Sequence, residues 1–495
     1  MTIQTSYFPL QGGLNLEAPP LATSPGELID CANYEALTGG GYRRIEGYVL
    51  YDGQDTATGA VPGTGDVLGV HLYKGELYAV RDDASNGRLY KATSSGWVEV
   101  DNTFTWTAGG TYRFCNYNFF GQDDQETMYI VNGIDKAVQF DGTTLTQITT
   151  GSGTDNPNCV IGHKYHLFLG VESSLVNSAT GNPLDYTAAS GAAEIAVGDT
   201  ISDLVIAPNA LLIACQDSTQ TLYGSSSADF QLSKLNSTGA YAGTIKDVQG
   251  VVVGADRRGI MALSTSTTYS NFDYNSLSNK IESLAKLFDR DSVAVLSLKN
   301  NQYRIFKDSV GLYITFAGNQ IIGITKALYG HNVRSACSGI DTNRDPVSFF
   351  GSSDGNVYKM DTGGSFNGDD IYAFIVTSFH HYSGPTQQKR FRLIQPDMRV
   401  SGNTSQIFIR GTTDYGAGAI SRSASPELYT SGGALWDYST WDQFTYDSLY
   451  HHDAKSRCSL TGTNMAVMIS SQSNADSIHT MYGVTIHYSP RRLKR

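Results

Sequence analysis

Apolar and polar residues alternate along most of this chain in short runs, and glycine-containing turns separate the runs. A period of two is the mark of a half-buried strand. Asn86-Gly87-Arg88-Leu89-Tyr90-Lys91 recurs in altered form as Asp354-Gly355-Asn356-Val357-Tyr358-Lys359, with an echo at Asp141-Gly142-Thr143-Thr144-Leu145. Asn-Gly and Asp-Gly readily adopt the positive φ angles of a type I′ turn, so each copy predicts a hairpin. The pattern predicts strand pairs at 67–73 and 76–80, 113–120 and 127–132, 137–140 and 145–148, 204–215 and 219–223, and 250–254 and 259–264. The clearest group of four is 293–298, 302–307, 311–317 and 320–325; strands at 346–350 and 356–360 close the series. Groups begin roughly 40–55 residues apart, the spacing of four-stranded propeller blades. Six blades fit best. The Ser/Ala/Gly-rich stretch 173–198 reads as a long loop, and 161–171 reads as one strand.

The flanks break the repeat. Residues 1–58 form an N-terminal arm, 59–374 the propeller, and 375–495 an antiparallel β-sandwich with a basic tail. In the arm, Ser24-Pro25-Gly26-Glu27 matches a capping box and predicts a short helix carrying Leu28, Ile29 and Cys31 on its apolar side. Leu277, Ile281, Leu284 and Phe288 share one face of a helix expected over 276–289, which would cover one end of the β-core. The fold class is therefore all-β: a propeller with an N-terminal arm and a C-terminal sandwich.

Composition supports strands and turns: 52 Gly and 30 Tyr accompany only 17% charged residues. The formal net charge of −12 argues against gripping nucleic acid by counterion release. It suits a surface past which DNA slides. The six cysteines form no C-x-x-C pair and several sit in apolar runs, so they read as buried free thiols of a protein made in a reducing compartment. Met1-Thr2-Ile3-Gln4-Thr5 carries neither the basic region nor the apolar core of a secretory signal. No apolar run approaches the roughly 20 residues of a membrane span.

Candidate chemistry is sparse. Gly351-Ser352-Ser353-Asp354-Gly355 satisfies G-x-S-x-G, but that motif needs a strand-to-helix elbow, and Asn356–Met360 alternates like a strand. The same residues partly match a sialidase aspartate box, without its recurrence. Asp341-Thr342-Asn343-Arg344-Asp345 begins like a calcium loop, but Pro346 stands where glycine is required and Ser352 where glutamate is. His163 and His166 would lie on opposite faces of one strand. Trp436, Tyr438, Trp441, Phe444 and Tyr446 are a possible sugar-stacking platform or ordinary strand packing. No cofactor, metal site or catalytic set is inferred.

The ends carry a more specific signal. Gln11-Gly12-Gly13-Leu14-Asn15-Leu16, Pro25-Gly26-Glu27-Leu28, Ala32-Asn33-Tyr34-Glu35 and the run Gly40-Gly41-Tyr42-Arg43-Arg44-Ile45-Glu46-Gly47-Tyr48 resemble the opening of tailed-phage structural proteins. So do Gly181–Tyr186, Leu211–Ala214 and Thr221–Gly224 in the middle and Gly483–Arg491 at the end. The layout is similar to that of the nozzle, or tail hub, proteins of short-tailed phages, also called tail tubular or packaged-DNA stabilisation proteins. The resemblance implies a non-enzymatic virion component assembled in the host cytoplasm. It implies a six-membered homo-oligomeric ring below the portal and head-to-tail adaptor. That ring extends the DNA exit channel, holds a plug, needle, spike or fibres, and lets genomic DNA pass without sequence-specific binding.

Closed rings need heterologous interfaces, which arms and loops supply. The expected assembly contacts are Tyr42, Arg43 and Arg44 in the arm and Arg491, Arg492, Lys494 and Arg495 in the tail. Removal of either segment is expected to leave a folded monomer that does not assemble. The competing reading is a propeller of the same virion that binds or cleaves host glycans; a third is a free cytosolic scaffold.

Overall fold

The alternating runs fold into small antiparallel sheets arranged as a β-propeller joined to a β-sandwich. The computed structural model describes the chain except residues 1–2, 20–21, 55, 58, 120, 122–124, 208–209, 266–271, 277–278, 319, 383, 401–404, 419, 423–426, 430–449, 452–454, 475–477 and 494–495. The aromatic stretch Trp436–Tyr446 lies outside the described residues.

Blade 1 comprises Thr64–Tyr73, Glu76–Asp83, Asn86–Thr93 and Gly96–Glu99. Blade 2 runs from Arg113–Tyr117 to Leu145–Gln147, blade 3 from Cys159–His163 to Ala193–Ala196, blade 4 from Ile201–Ala207 to Gln231–Asn236, and blade 5 from Lys246–Val248 to Phe272–Ser276. Among the described residues six hydrogen-bonded sheets build the propeller, but the sixth supplies two blades, so seven blades stand where the spacing suggests six. Its strand Gln302–Ala317 doubles back at Asp308 (φ 52°), where Phe316 N donates to Asn301 O at 3.1 Å. Its strand Gln320–Ile340 is shared. Residues 320–328 pair with 310–317 as the outer strand of blade 6, and 333–340 pair with Pro346–Ser352 as the inner strand of blade 7. One strand serving two blades hides the extra repeat, so seven innermost strands surround the axis.

Ring closure uses the N-terminal segment. Tyr48–Leu50 pairs with Val357–Met360 and forms the outermost strand of blade 7. The chain then crosses to blade 1, whose Val67 carbonyl accepts Ser335 Oγ of blade 7 at 2.8 Å. Val61, Val67, Val70 and Leu72 pack there against Cys337, Val347, Phe349 and Val357. Each remaining blade interface is a similar apolar seam, which is why a propeller is rigid.

The sandwich also takes strands from the N-terminal segment. One sheet orders Tyr34–Ala36, Tyr42–Arg44, His479–Leu493 and Gln387–Val400, with Gln4–Pro9 also on His479–Leu493. The other orders Leu28–Ala32, Ile371–Thr377, Met465–Ser473 and Ser405–Thr413. Residues 1–58 are therefore not a free arm, and the sandwich is not purely C-terminal. Leu14 N also donates to Ile324 O at 2.8 Å, and Leu328 N to Asn33 Oδ1 at 2.7 Å, sealing the outer edge of blade 6. One apolar core runs from Phe8 and Leu28 through Tyr42 and Tyr48 into blade 6 and both sandwich sheets.

Several local expectations change. Pro25-Gly26 makes a turn with Gly26 at φ 92°, and Ser24 N does bond Glu27 Oε2 at 3.1 Å, but strand Leu28–Ala32 follows instead of a helix. The long helix shrinks to Glu282–Ala285, because Phe272–Ser276 is the outer strand of blade 5; Ile281 and Phe288 still enter the core. The stretch 173–198 contains strands Ser174–Asn177 and Ala193–Ala196 of blade 3 rather than a loop. Gly87 is a strand residue: the turn lies at Ala84 (φ 48°), and Tyr112 occupies the space over Gly87. Gly355 (φ 84°), Gly142 (φ 111°) and Lys74-Gly75 (φ 51° and 77°) sit in turns as expected.

Tyr48 is fully buried, stacked on Phe366 at 4.8 Å and ringed by Phe350, Tyr358 and Tyr329. Its hydroxyl accepts Gly330 N at 3.1 Å and meets His331 Nδ1 at 2.8 Å. Tyr48→Ala is expected to lose about 3–5 kcal/mol, as other large-to-small core changes do, and a chain starting at residue 59 is expected not to fold. Denaturant unfolding of the variant and the solubility and circular dichroism of the truncation check both; a soluble, native-like 59–495 fragment contradicts the closure role.

Candidate functional site

The arm residues expected at an intersubunit contact face inward. Tyr42 is fully buried, its hydroxyl accepting Gly13 N at 2.8 Å and donating to Gly26 O at 3.3 Å. Arg44 is also fully buried and donates to Gly364 O at 3.0 Å and Ser473 O at 2.7 Å. Backbone carbonyls of the propeller–sandwich junction thus hold its charge. Both side chains are structural within one chain, which corrects their assignment as assembly contacts. Three-residue strands, too short to display a period, concealed this.

Arg43 is part of a buried ionic network. Its Nε donates to Glu35 Oε1 at 2.8 Å, and its Nη2 to Asn300 Oδ1 at 3.1 Å. Glu35 accepts Gln302 Nε2 at 2.8 Å; Gln302 Oε1 accepts Arg304 Nε at 2.9 Å. Arg304, fully buried, reaches Asp361 at 2.9 Å and lies 4.3 Å from the centre of the Tyr313 ring. Burial works against its charge, but Asp361, the two tyrosines Tyr313 and Tyr329 and then Glu35 outweigh it and hold the guanidinium above its ordinary value. Segments far apart in sequence therefore share one charge cluster.

In the tail, Arg491 is exposed and its carbonyl accepts Gln387 Nε2 at 3.1 Å. Arg492 lies in strand His479–Leu493, while Lys494 and Arg495 lie outside the described residues.

The other motifs resolve into turns. Ser352 N and Asn356 O close the hairpin at Gly351–Gly355, so that serine motif has no strand-to-helix elbow. Asp341 Oδ1 accepts the backbone N–H groups of Asn343 and Asp345, as a polar hairpin turn does. His163 and His166 are directly paired across a hairpin whose turn is Lys164-Tyr165 (φ 47° and 61°), rather than on one strand. His166 is buried and bonds Ser178 O at 2.7 Å. Among the described residues no group of three or more His, Cys, Asp or Glu side chains gathers to hold a metal. All six cysteines are free, and none but Cys115 is less than buried. No helix among the described residues is long and apolar enough to cross a membrane.

Sequence reasoning missed the propeller axis. A cavity of about 590 Å³ opens there, lined by residues from all seven innermost strands. Charged side chains gather near the beginnings of these strands: Asp66, Arg113, Asp203, Lys246 and Arg334, joined by Arg290 and Asp291 from the turn before blade 6. The available signal was a charge opening each of several apolar runs. Deeper in, His71 stacks on Phe114 at 5.0 Å and bonds Asn116 Oδ1 at 2.9 Å. Burial, with Lys246 acting in the same direction against the Asn116 bond, pulls His71 down to about 4.

No family model matches the chain, and no curated protein matches it. Solved structures similar to it include YCF48 bound to D1 peptide, at 12% identity and TM-score 0.40 over 63% of this chain and 98% of that one. BBS1N in complex with ARL6DN is similar at 12% identity and TM-score 0.40, over 64% of this chain and 97% of that one. PorZ, a surface component of the type-IX secretion system of Porphyromonas gingivalis, is similar at 11% identity and TM-score 0.44 over 82% of this chain; the match spans 60% of PorZ.

Two outcomes follow from these sites. Glu35→Ala takes the carboxylate from the partly buried Arg43 and the second acid from Arg304, which keeps Asp361, and is expected to cost about 2–3 kcal/mol, whereas Glu35→Gln, which keeps an acceptor, is expected to cost less; guanidinium unfolding measures both. For His71 the folded value lies below the unfolded one, so its contribution is present above about pH 6.5 and is lost as pH falls towards 4. Between pH 7 and 4.5 this amounts to about 2 kcal/mol, and His71→Phe is expected to flatten that part of the stability–pH curve.

Proposed function

We propose that this chain is a structural wedge of a short-tailed phage tail, a nozzle or hub subunit with no catalytic role. In this reading six copies form a ring below the portal and adaptor, continue the DNA exit channel and carry the distal plug, needle, spike or fibres. The resemblance at Gln11–Leu16, Gly40–Tyr48 and Gly483–Arg491 points to that place. The observation that carries the reading is the N-terminal segment's double engagement: it completes blade 7 and supplies strands to both sandwich sheets. Two modules locked in this way transmit force as one body, which a ring under packaged DNA requires. The net charge of −12 suits a lining that DNA slides past, provided the acids face the channel.

Because Tyr42 and Arg44 are internal, assembly contacts shift to the exposed Arg491 and to the loops. Arg491→Glu, which keeps the strand and its backbone bonds, is expected to leave the unfolding midpoint unchanged while reducing ring formation at least about tenfold, as loss of an interface contact worth about 1.4 kcal/mol does. Co-expression with portal and adaptor, followed by native mass measurement and electron microscopy, checks this. A full-length chain that stays monomeric with both partners contradicts the reading.

A further inference from the structure

The axial cavity holds positive charge that the fold itself does not use. Of its cations, Arg334 is engaged by Asp66 at 3.1 Å and Asp308 at 3.0 Å. Among the described residues, Arg113, Lys246 and Arg290 also line the cavity, and they form no ion pair. The acid acting on Lys246 is Asp203, whose two oxygens already accept Gly243 N and Leu204 N, each at 2.9 Å. Asp291 is engaged by Lys307 at 3.0 Å. Gly243 (φ 76°) makes room for the Arg113 guanidinium, because a Cβ there would come within 1.8 Å of its Nη1. In a chain of net charge −12, this is a local excess of unspent cation at a concave, half-buried rim.

A second cavity of about 840 Å³ continues from the same rim, sharing Ala242, Arg290 and Asp291 with the first. Ile201, Ala240 and Tyr241 contribute its apolar surface. Both volumes lie in the range of ordinary binding clefts. The acids that also border this cleft are engaged, Asp217 by Arg257, Asp256 by Arg258 and Asp289 by Lys307, so the rim offers free cation and the cleft adds apolar surface.

We propose that this rim and cleft bind an extended acidic peptide segment of a partner protein, with its carboxylates at Arg113, Lys246 and Arg290 and a neighbouring apolar side chain over Tyr241. Guanidinium forks match carboxylates in geometry. The apolar cleft suits a peptide side chain and gives nothing to a phosphate backbone. The proposal does not depend on the ring reading.

The test is fluorescence anisotropy with the full chain and a labelled, end-blocked peptide alternating Glu with Leu, beside the same peptide with Gln for Glu. Inorganic phosphate and a single-stranded oligonucleotide serve as competitors. Saturable binding of the Glu peptide alone is expected, weakened at least about tenfold by Arg290→Glu and by Lys246→Gln, as loss of a charge contact does. Arg290 is exposed ahead of blade 6, so its variant keeps the fold, which circular dichroism verifies. Failure of the Glu peptide to bind, equal binding by Arg290→Glu, or displacement by phosphate or oligonucleotide at comparable charge concentration each overturns the proposal.

Discussion

A guanidinium shut away from water must be neutralised from within the protein, and Arg304 sets that demand at the centre of this fold. Its charge is met by Asp361, just after strand Val357–Met360 of blade 7, and by Glu35 from the N-terminal segment, with Gln302 linking the acid to the cation. Leaving such a charge uncompensated costs several kcal/mol, so the positions of all three segments are coupled. Placing Glu35 there draws strands Tyr34–Ala36 and Tyr42–Arg44 into the sandwich, and the chain leaving them arrives at blade 7 with Tyr48. Ring closure and sandwich assembly therefore depend on one stretch of sequence.

This coupling makes the propeller and sandwich a single mechanical unit. The core that contains Tyr48 also contains Phe306 and Tyr313 of blade 6 and Ile375, Phe391 and Val484 of the sandwich. Force applied to either module passes through buried packing, not through a linker. Among the described residues, the seams between blades 1 to 5 are apolar and hold no buried ionic cluster like that around Arg304. The axial rim is where their inner strands bring charge together.

Much of the fold was legible because strands announce themselves by period. The hairpins of blades 1, 2 and 5 and the four-strand group of blade 6 fall where alternation and glycine turns put them. The failures have physical causes. Asn86-Gly87 has turn chemistry, yet Tyr112 claims the space above Gly87 and the reversal moves to Ala84. The Ser24–Glu27 box makes its side-chain bond, but the next residues find a sheet edge at Ile371–Thr377 and extend. Residues 276–289 have helical spacing, but blade 5 needs its outer strand first. The seventh blade was obscured because 320–340 serves two blades and its last strand comes from before the repeats begin. Of the candidate site, Arg491 was legible as exposed. Tyr42 and Arg44 were misread because three-residue strands leave no period to betray burial. The axial cations were invisible as a group, since only ring closure brings Arg113 and Lys246 to one cavity.

Native-state hydrogen exchange across residues 28–50 tests the internal-staple account most directly. If this segment closes the ring and neutralises Arg304, its amides exchange only through the same global opening as the strands of blades 6 and 7, with matching free energies and denaturant dependence. If the segment instead exchanges early, through a local opening that leaves 333–340 and 346–352 protected, it is a detachable arm and the account is contradicted.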